Sequence, residues 1–249
     1  MVDLKEAAKQ EKRALSQLEQ KEENLFDWTP KTRLGKLVKE GKITDIDYVL
    51  INGYRILEPE VVDYLLPGLK VEFIKLAISG GKFQRPKLVK IVKRRTAEGN
   101  VPSWIAMAVV GDENGHVGVA TGKAPDVQKA MEKAVRNAKL NIISILRGCG
   151  SWECACGKPH SIPFRVVGKR GSVEVHLLPA PMGVNLVAPD EVKKVLKLAG
   201  IKDIWMQSYG QTRRRINFIG AVFEALKQLS LVRVHPGYLE VSGLKLGRV

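Results

Sequence analysis

Residues 104–145 read WIAMAVVGDENGHVGVATGKAPDVQKAMEKAVRNAKLNIISI, and two hydrophobic periodicities follow one another in them. Residues 104–110 and 117–121 are short apolar segments on either side of a turn, which predicts two strands. The GDENG segment between them contains an Asn-Gly pair, which supplies the positive φ angles of a tight hairpin turn. From Pro125 onward the spacing predicts a long helix with one apolar stripe, formed by Val127, Met131, Ala134, Ala138, Ile142 and Ile145.

The residues before this hairpin predict a further strand and several short helices. Alternation over 71–77 and a short run over 88–92 predict strands that complete a three-stranded sheet. Helical signals occupy 32–39, 44–50 and 59–66, the last with Pro59 at its first turn. Residues 3–23 have the spacing of a marginal, exposed helix, with a frayed arm as the alternative. Residues 1–70 therefore form a helical N-terminal extension, nearly neutral with 12 basic and 13 acidic side chains, which suits a docking module.

The residues after the long helix predict a second unit. Strands are expected at 164–167 and 172–178, joined by Gly168-Lys169-Arg170-Gly171, followed by a helix to Leu198, an extended piece at 201–208 and a helix at 216–229. The prediction is an α+β protein with five segments. They are the extension at 1–70, a first domain at 71–146, a cysteine-containing linker at 147–163, a second domain at 164–230 and a tail at 231–249.

The charge of the chain favours a polyanionic partner. Its net charge is +15 and its pI is about 9.8, and the whole surplus lies in residues 71–249, so both predicted domains are basic. RNA, DNA and acidic membranes are all compatible with this charge. No run of 18 apolar residues occurs and the first twenty residues are charged, so we expect neither a membrane span nor a signal peptide. We therefore expect a cytoplasmic protein.

Four residues have the chemistry of a metal site. Cys149, Cys154, Cys156 and His160 offer three thiolates and an imidazole, a tetrahedral set that suits structural zinc. Three cysteines within eight residues do not suit a disulfide framework. The alternative, in which free or buried thiols and a turn histidine occupy a loop, stays open.

The sequence gives little support for catalysis. Gly118, Gly122 and Lys123 have the wrong spacing for a phosphate-binding loop, and Ala124 stands where the loop's Ser or Thr would be. His116, His176 and His235 lack an identifiable carboxylate or serine partner at catalytic spacing, which favours surface or packing roles. We therefore predict a protein that is not an enzyme. A kinase-like fold is disfavoured because neither a phosphate loop nor paired acids are found.

Several long motifs resemble one family. The hairpin and helix, VVGDENGHVGVATGKA and AMEKAVRNAKLNII, resemble those of the small-subunit ribosomal protein five family. RGCGSWECACGKPHSIPF, GKRGSVEVHLLPAP, KKVLKLAGIKDIW and YGQTRRRINFIGAVFEAL are similar to its archaeal and eukaryotic branch, and FDWTPKTRLGKLVKEGKI to that branch's N-terminal extension. The resemblance covers about residues 26–229.

The resemblance implies a fold, a ligand and neighbours. The fold would be a double-stranded-RNA-binding-like domain at 71–146 and a second α+β domain with a left-handed βαβ crossover. The ligand would be 16S-type ribosomal RNA near the decoding region, in support of decoding accuracy. The neighbours would include ribosomal protein four, and with proteins three and four the chain would line the channel through which messenger RNA enters. The alternative is a free regulator that binds double-stranded RNA.

The expected RNA contacts come from three sources. Matching family motifs give Lys123, Arg136, Arg147, Lys169 and Arg170. Basic residues on the predicted strands, their loops and the helix add Lys82, Arg85, Lys87, Lys90, Lys93, Arg94, Arg95, Lys129 and Lys133. The chain departs from its relatives at 99–104, where a Gly-Arg-Arg-like start is lost, and at 182–185, where Arg-Gly-Thr-Gly is replaced by Met-Gly-Val-Asn. We hypothesise that Arg213, Arg214 and Arg215 compensate with phosphate contacts.

Overall fold

The computed structural model describes residues 28–78, 86–154, 156–232 and 243–247. The predicted helix at 3–23, most of the predicted tail and the candidate RNA contacts Lys82 and Arg85 lie outside these residues. The helices are α1 Arg33–Lys39, α2 Ile46–Ile51, α3 Pro59–Leu65, α4 Val127–Leu140, α5 Asp190–Leu198 and α6 Arg215–Leu231. The strands are β1 Lys70–Phe73, β2 Ala77–Ile78, β3 Pro86–Lys87, β4 Lys90–Thr96, β5 Gly99–Gly111, β6 His116–Ala124, β7 Ile142–Ser144, β8 Leu146–Arg147, β9 Val166–Arg170, β10 Val173–Pro179, β11 Leu186–Val187, β12 Ile204–Gly210 and β13 Lys245–Leu246. The α+β prediction is confirmed.

The three short helices pack into a small unit of their own. Thr32 caps α1 by accepting a hydrogen bond from the Gly35 amide, and Pro59 occupies the first turn of α3, where its missing N–H costs nothing. Glu58 accepts from the amides of Lys31 and Thr32, which fixes the start of α1 to the start of α3. A separate hydrophobic cluster that includes Val38, Val49 and Val62 fills the interior.

The first sheet has five strands instead of the predicted three. β5 is 13 residues long, and its first half pairs with β4 while its second half pairs with β1 along the same edge. β6 pairs with the other edge of β5 as the predicted hairpin, and β7 follows it. Positive φ angles in the turn occur at Glu113 and Gly115, so the glycine of the predicted Asn-Gly pair adopts one and Asn114 does not. The additional strands arise from pairings between distant segments, which alternation within one segment does not specify.

Small residues let α4 approach the sheet closely. Ala130, Ala134 and Ala138 are fully buried against the first sheet, and a Cβ on Gly122 would lie only 2.3 Å from the Ala130 carbonyl oxygen. Gly118 makes a similar approach to the Ala138 carbonyl. These glycines therefore serve helix–sheet packing, which gives their spacing a structural reason other than phosphate binding.

The predicted helix ends earlier than its apolar stripe suggested. α4 stops at Leu140, and Asn141 donates from its side chain to the Val119 carbonyl. Ile142 lies in β7, and Ile145 follows that strand, so the extension of the stripe through these two residues was wrong. β-branched residues such as Ile142 and Ile143 are favoured in strands, and here they pair with β6.

The second sheet contains a parallel βαβ unit. The strand order is β11-β12-β10-β9, with β10 antiparallel to both neighbours and β11 parallel to β12. α5 lies between β11 and β12 in the chain, and α6 packs on β9 and β10. The predicted hairpin at 164–178 is present, but β9 runs on through Lys169 and Arg170, so the turn is at Gly171 and Ser172.

One hydrophobic core joins the two sheets. Met107 and Val119 from the first sheet belong to the same buried cluster as Val175, Leu196 and Phe223 from the second sheet and its helices. Each fully buried side chain of this size stabilises the fold by roughly 1.5–3 kcal/mol. The relative position of the sheets is therefore fixed by packing. Among the described residues, no helix is long and apolar enough to cross a membrane.

Candidate nucleic-acid interface and metal centre

A basic two-stranded arm extends beyond the first sheet. It consists of β4 and the first half of β5, and residues 93–102 are all exposed to solvent. The turn is closed by a hydrogen bond of 2.8 Å from the Thr96 hydroxyl to the Gly99 carbonyl. Lys90, Lys93, Arg94 and Arg95 project from β4. Side chains alternate between the faces of a strand, so the arm presents cations on both faces.

The arginines at 213–215 lie beside this arm. Arg213 and Arg214 are exposed and, together with Lys90 and Ile105, line a small cleft of about 110 Å³. Lys123 is directly opposite Ile105 on the next strand and shares its face. We call Lys90, Lys123, Arg213 and Arg214 the junction cluster, because it combines side chains of the first sheet with side chains of the turn between β12 and α6.

Arg215 has a different environment from its two neighbours. Its Nη1 donates to the Lys75 carbonyl at 2.7 Å and to Glu191 Oε1 at 2.5 Å. The side chain is only about one quarter exposed. Arg215 therefore holds the start of α6 against α5 and β1, and leaves Arg213 and Arg214 as the exposed members of the triplet.

The remaining predicted contacts lie on other surfaces. Lys129, Lys133 and Arg136 are exposed on α4, which covers the opposite side of the first sheet. Lys87 is exposed on β3, at the start of the arm. Lys169 and Arg170 are exposed at the end of β9, and the Arg170 guanidinium lies over Gly220 of α6. These residues are not brought together with the junction cluster into one patch.

Arg147 is placed in the interior. It is 4% exposed, and its Nη2 donates to the carbonyls of Asn114 at 2.9 Å and Gly247 at 3.0 Å. Its Nε atom has no hydrogen-bond partner among the described residues. Burial lowers the pKa of the guanidinium, and the nearby charges of Asp112 and Asp47 oppose that change. In this structure the side chain joins the hairpin turn to the segment 243–247.

The four predicted ligands converge on one point and can hold a metal ion. The ligand atoms of Cys149, Cys154, Cys156 and His160 all lie within 4.8 Å of one another. The Cys154 Sγ atom is 3.9 Å from His160 Nε2. In a tetrahedral site with metal–sulfur distances of about 2.3 Å, ligand atoms are about 3.5–3.8 Å apart. Small side-chain movements would therefore close this set around one ion.

A buried carboxylate orients the histidine. His160 Nδ1 is 2.9 Å from Asp203 Oδ2, and both side chains are about 6% exposed. Asp203 Oδ1 accepts from the amides of Gly183 and Asn185. This contact leaves Nε2 directed at the cysteines, an arrangement that raises the basicity of a metal-binding imidazole. The backbone of residues 183–185 thus fixes Asp203.

The thiols of this cluster differ in acidity. Burial, together with hydrogen bonds to Cys156 and Cys154, raises the pKa of Cys149 to about 11. A backbone hydrogen bond from Met182, together with a hydrogen bond from Cys156, lowers the pKa of Cys154 to about 6. At neutral pH, Cys154 therefore provides a thiolate, the form that binds a metal.

The sequence did not reveal the partners of two histidines. His116 is buried between Asp112 and Asp47, and His176 lies between Arg165 and Glu174. A cleft of about 680 Å³ next to His160 is also lined by Lys158, Lys197 and Lys202, three cations that the sequence did not single out. Asp112 and Glu174 lie within four residues of their histidines, whereas Asp47 and the three lysines are brought into place only by the fold.

Comparison with known proteins gives consistent matches in both halves of the chain. Residues 88–146 match the family model described as ribosomal protein S5, N-terminal domain, and residues 168–235 match ribosomal protein S5, C-terminal domain. The chain is 56% identical over 226 residues to a protein from Nanoarchaeum equitans named small ribosomal subunit protein uS5, covering 91% of this chain and 98% of that protein. Proteins of the same name from Methanocaldococcus jannaschii and Pyrobaculum islandicum are 50% and 52% identical, over 91% and 80% of this chain and 98% and 93% of theirs.

Proposed function

The chain belongs to the ribosomal protein S5 family, and from this premise we propose that its basic arm and junction cluster bind folded 16S-type ribosomal RNA. As a family member, the protein is a structural constituent of the small ribosomal subunit and not an enzyme. Its place in the cell is therefore the small subunit, in the cytoplasm.

The fold supports recognition of RNA by shape. The wide minor groove of A-form RNA displays phosphates and 2′-hydroxyls, which proteins contact from strand loops and helix surfaces without reading bases. The hairpin of β5 and β6, with α4 on one face, supports the proposal that residues 71–146 form a double-stranded-RNA-binding-like domain. For the second domain, at 164–230, we propose the left-handed crossover of the family at the β11–α5–β12 unit.

The junction cluster is the observation that carries the proposal. Lys90 of β4 and the two arginines that precede α6 line one cleft, Lys123 of β6 lies on the same face of the sheet, and all of the positive surplus of the chain lies in residues 71–249. Each cation that neutralises a phosphate releases counterions, which makes binding favourable and salt-dependent. Lys129, Lys133 and Arg136 on α4 would reach a second RNA segment from the opposite side of the sheet.

The N-terminal helices suit a protein neighbour instead of RNA. Their unit is nearly neutral and exposes Tyr48, Tyr54 and Tyr64, each about half accessible. Exposed tyrosines are typical of protein interfaces, where one ring both packs and hydrogen-bonds. We propose that this extension docks on adjacent small-subunit proteins. We further propose that the protein contacts ribosomal protein four and lines part of the channel through which messenger RNA enters. In that position it would support decoding accuracy.

We assign zinc to the Cys149, Cys154, Cys156 and His160 group. Three thiolates and one imidazole are the donors that zinc prefers, and Asp203 provides the supporting carboxylate. All four ligands come from the linker at 147–163, and Asp203 precedes β12 of the second sheet. A bound ion would therefore fasten the linker to the second sheet.

RNA and DNA duplexes of the same sequence test the shape-reading proposal. The full chain should bind a stem from small-subunit RNA more tightly than the matching DNA, because only A-form RNA has the required groove and 2′-hydroxyls. Arg213→Ala combined with Arg214→Ala should weaken RNA binding, while Lys31→Ala combined with Lys36→Ala on the neutral extension should not. Equal affinity for RNA and DNA in all three proteins would contradict the proposal.

A further inference from the structure

The second sheet has one face that carries a row of aromatic rings. Strand pairing places Tyr209 opposite Glu174, Gln207 opposite His176 and Trp205 opposite Leu178, and directly opposed residues share a face. This face, which we call the outer face, also receives Lys169 through its pairing with Glu174. Trp205, His176 and Tyr209 therefore follow one another along the middle of the sheet.

Two rings of this row, Tyr209 and Trp205, reach solvent. Tyr209 is 53% exposed, and its ring centroid is 5.1 Å from that of His176, with the planes tilted by 56°. Trp205 is half-buried. Tyr209 follows Trp205 by four positions along β12, about 13 Å at the usual rise of a strand. His176 lies between them on the neighbouring strand, but its side chain is only 12% exposed, so Tyr209 and Trp205 are the two platforms for flat ligands.

Within the part of the chain that the structure describes, no helix covers the outer face. The other face of these strands packs against α5 and α6. Its side chains, such as Val173, Val175 and Leu177, are buried in the common core. The ring-bearing residues do not belong to that cluster. The outer face is therefore the solvent side of a sheet whose other side is fully packed.

The charges on this face favour an anion. Arg165 donates to His176 Nδ1 at 2.8 Å, and Lys169 is exposed on the neighbouring strand. Glu174 is paired, since its Oε1 lies 2.8 Å from His176 Nε2. The hydrogen bond to His176, with the charges of Lys169 and Arg165, lowers the pKa of this carboxylate. The face thus combines rings with a net positive field.

We propose that the outer face binds an unpaired segment of RNA, with bases stacked on Tyr209 and Trp205, His176 holding the Tyr209 ring in place, and phosphates beside Arg165 and Lys169. Four-stranded sheets that recognise single-stranded RNA use aromatic side chains for two or three bases in this way. The positive charge of this face distinguishes it from the nearly neutral, tyrosine-bearing N-terminal helices, and it favours a nucleotide partner over a protein because phosphates are drawn to Arg165 and Lys169. The site rests on the proposed RNA-binding function but is separate from the junction cluster.

Variants of Tyr209 test this site in the full-length chain. The probes are a labelled, unstructured RNA of about 12 nucleotides, within the range of single-strand site sizes, and an RNA duplex. Tyr209→Ala should weaken binding of the unpaired RNA about tenfold, since stacking of one base on a ring contributes roughly 1–3 kcal/mol. Tyr209→Phe, which keeps the ring, should bind nearly as the wild type does.

Two controls separate this site from the proposed function. Tyr64→Ala removes a similarly exposed ring from the N-terminal helices. It should change neither the affinity for unpaired RNA nor the affinity for the RNA duplex. Arg213→Ala with Arg214→Ala should weaken duplex binding and leave the Tyr209 effect intact. If Tyr209→Ala and Arg165→Ala both left the affinity for unpaired RNA unchanged in folded protein, the site would be refuted even where duplex binding persisted.

A cross-link from the assembled subunit identifies the true occupant. A photoreactive amino acid at position 209, incorporated into small subunits, should cross-link to RNA. Cross-linking to a neighbouring protein alone would overturn the proposal and make the outer face a protein-docking surface.

Discussion

His116 Nε2 lies 2.9 Å from Oδ1 of Asp47, although the two residues are 69 positions apart in the chain. The other ring nitrogen, Nδ1, is 2.7 Å from Asp112 Oδ2 in the hairpin turn. The imidazole is fully buried. A single side chain therefore connects α2 of the N-terminal helices to the turn between β5 and β6.

The contacts of His116 with Asp112 and Asp47 predict that the stability of the folded protein decreases in mildly alkaline solution. Burial would lower the pKa of His116, but the hydrogen bonds to Asp112 and Asp47 outweigh it and raise the pKa to about 9. A histidine with a raised folded-state pKa stabilises the fold fully below its unfolded pKa of about 6.5, and this stabilisation is lost as the pH rises to about 9. The loss should be on the order of 3 kcal/mol in the free energy of unfolding.

Urea unfolding between pH 6 and pH 10 measures this effect. Asp47→Asn should be less stable than the wild type near pH 6.5, and the difference should shrink toward pH 9.5. Asp63→Asn is the matched control, because Asp63 also ties the N-terminal helices to the first domain but pairs with Lys139 instead of a histidine. Equal pH dependence in the wild type and Asp47→Asn would show that His116 is not charged in the fold.

Replacement of Asp203, whose carboxylate hydrogen-bonds to His160, should weaken metal binding without removing a metal ligand. Asp203→Asn should lower zinc affinity by about 10–100-fold, because the imidazole loses its orienting partner. Cys154→Ser with Cys156→Ser should abolish binding. Zinc content and melting temperature with and without a chelator are the measurements. Trp152→Ala is the control, because it changes a 91% exposed residue in the same loop, and it should behave as the wild type. A wild-type protein that contains no zinc and whose melting temperature does not change with a chelator would contradict the site.

Gly122→Ala should destabilise the first domain strongly. The new Cβ would lie 2.3 Å from both the Ala130 carbonyl oxygen and the Ala134 amide nitrogen, so α4 would have to move away from the sheet. Overpacking of this kind costs about 1–3 kcal/mol. Gly68→Ala is the control, since nothing lies within 4 Å of its Cβ position. The free energies of unfolding of both variants in denaturant are the measurement. Equal values for Gly122→Ala and Gly68→Ala would contradict the close approach of α4 to the sheet.

Neutralising the arm should reduce the salt dependence of RNA binding. Replacing Lys93, Arg94 and Arg95 with alanine removes three exposed cations, so the slope of log affinity against log salt should fall by about 2–3. A triple replacement of Lys31, Arg33 and Lys36 removes the same charge from the N-terminal helices and should leave the slope unchanged. Identical slopes for the two triple variants would contradict an RNA contact by the arm.

Local patterns predicted most of the secondary structure because they depend on neighbours in the chain. Two short apolar segments and a glycine-containing turn were enough for the β5–β6 hairpin, and the spacing of Val127, Met131, Ala134 and Ala138 was enough for α4. The length of β5, with two partners along one edge, was not predictable, since strand pairing joins segments 30 or more positions apart. The domain boundaries remain a prediction, because the two sheets share one core.

The candidate sites likewise contain residues that the local sequence identified and residues that only the fold reveals. The metal ligands lie within 12 residues of one another, and their chemistry identified them, whereas Asp203 is 43 positions from His160 and had no signal. Arg147 was selected as a basic residue of a matching motif, but only the fold shows that carbonyl groups surround its guanidinium. Charge alone does not distinguish a buried arginine from an exposed one.

Sedimentation of small ribosomal subunits through a gradient at increasing salt tests the proposed RNA contact most directly. The wild-type chain should stay with the subunit at high salt, and the variant lacking Lys93, Arg94, Arg95, Arg213 and Arg214 should be released at lower salt. A wild-type chain found free of subunits even at low salt would contradict a resident ribosomal role and favour a free RNA-binding regulator.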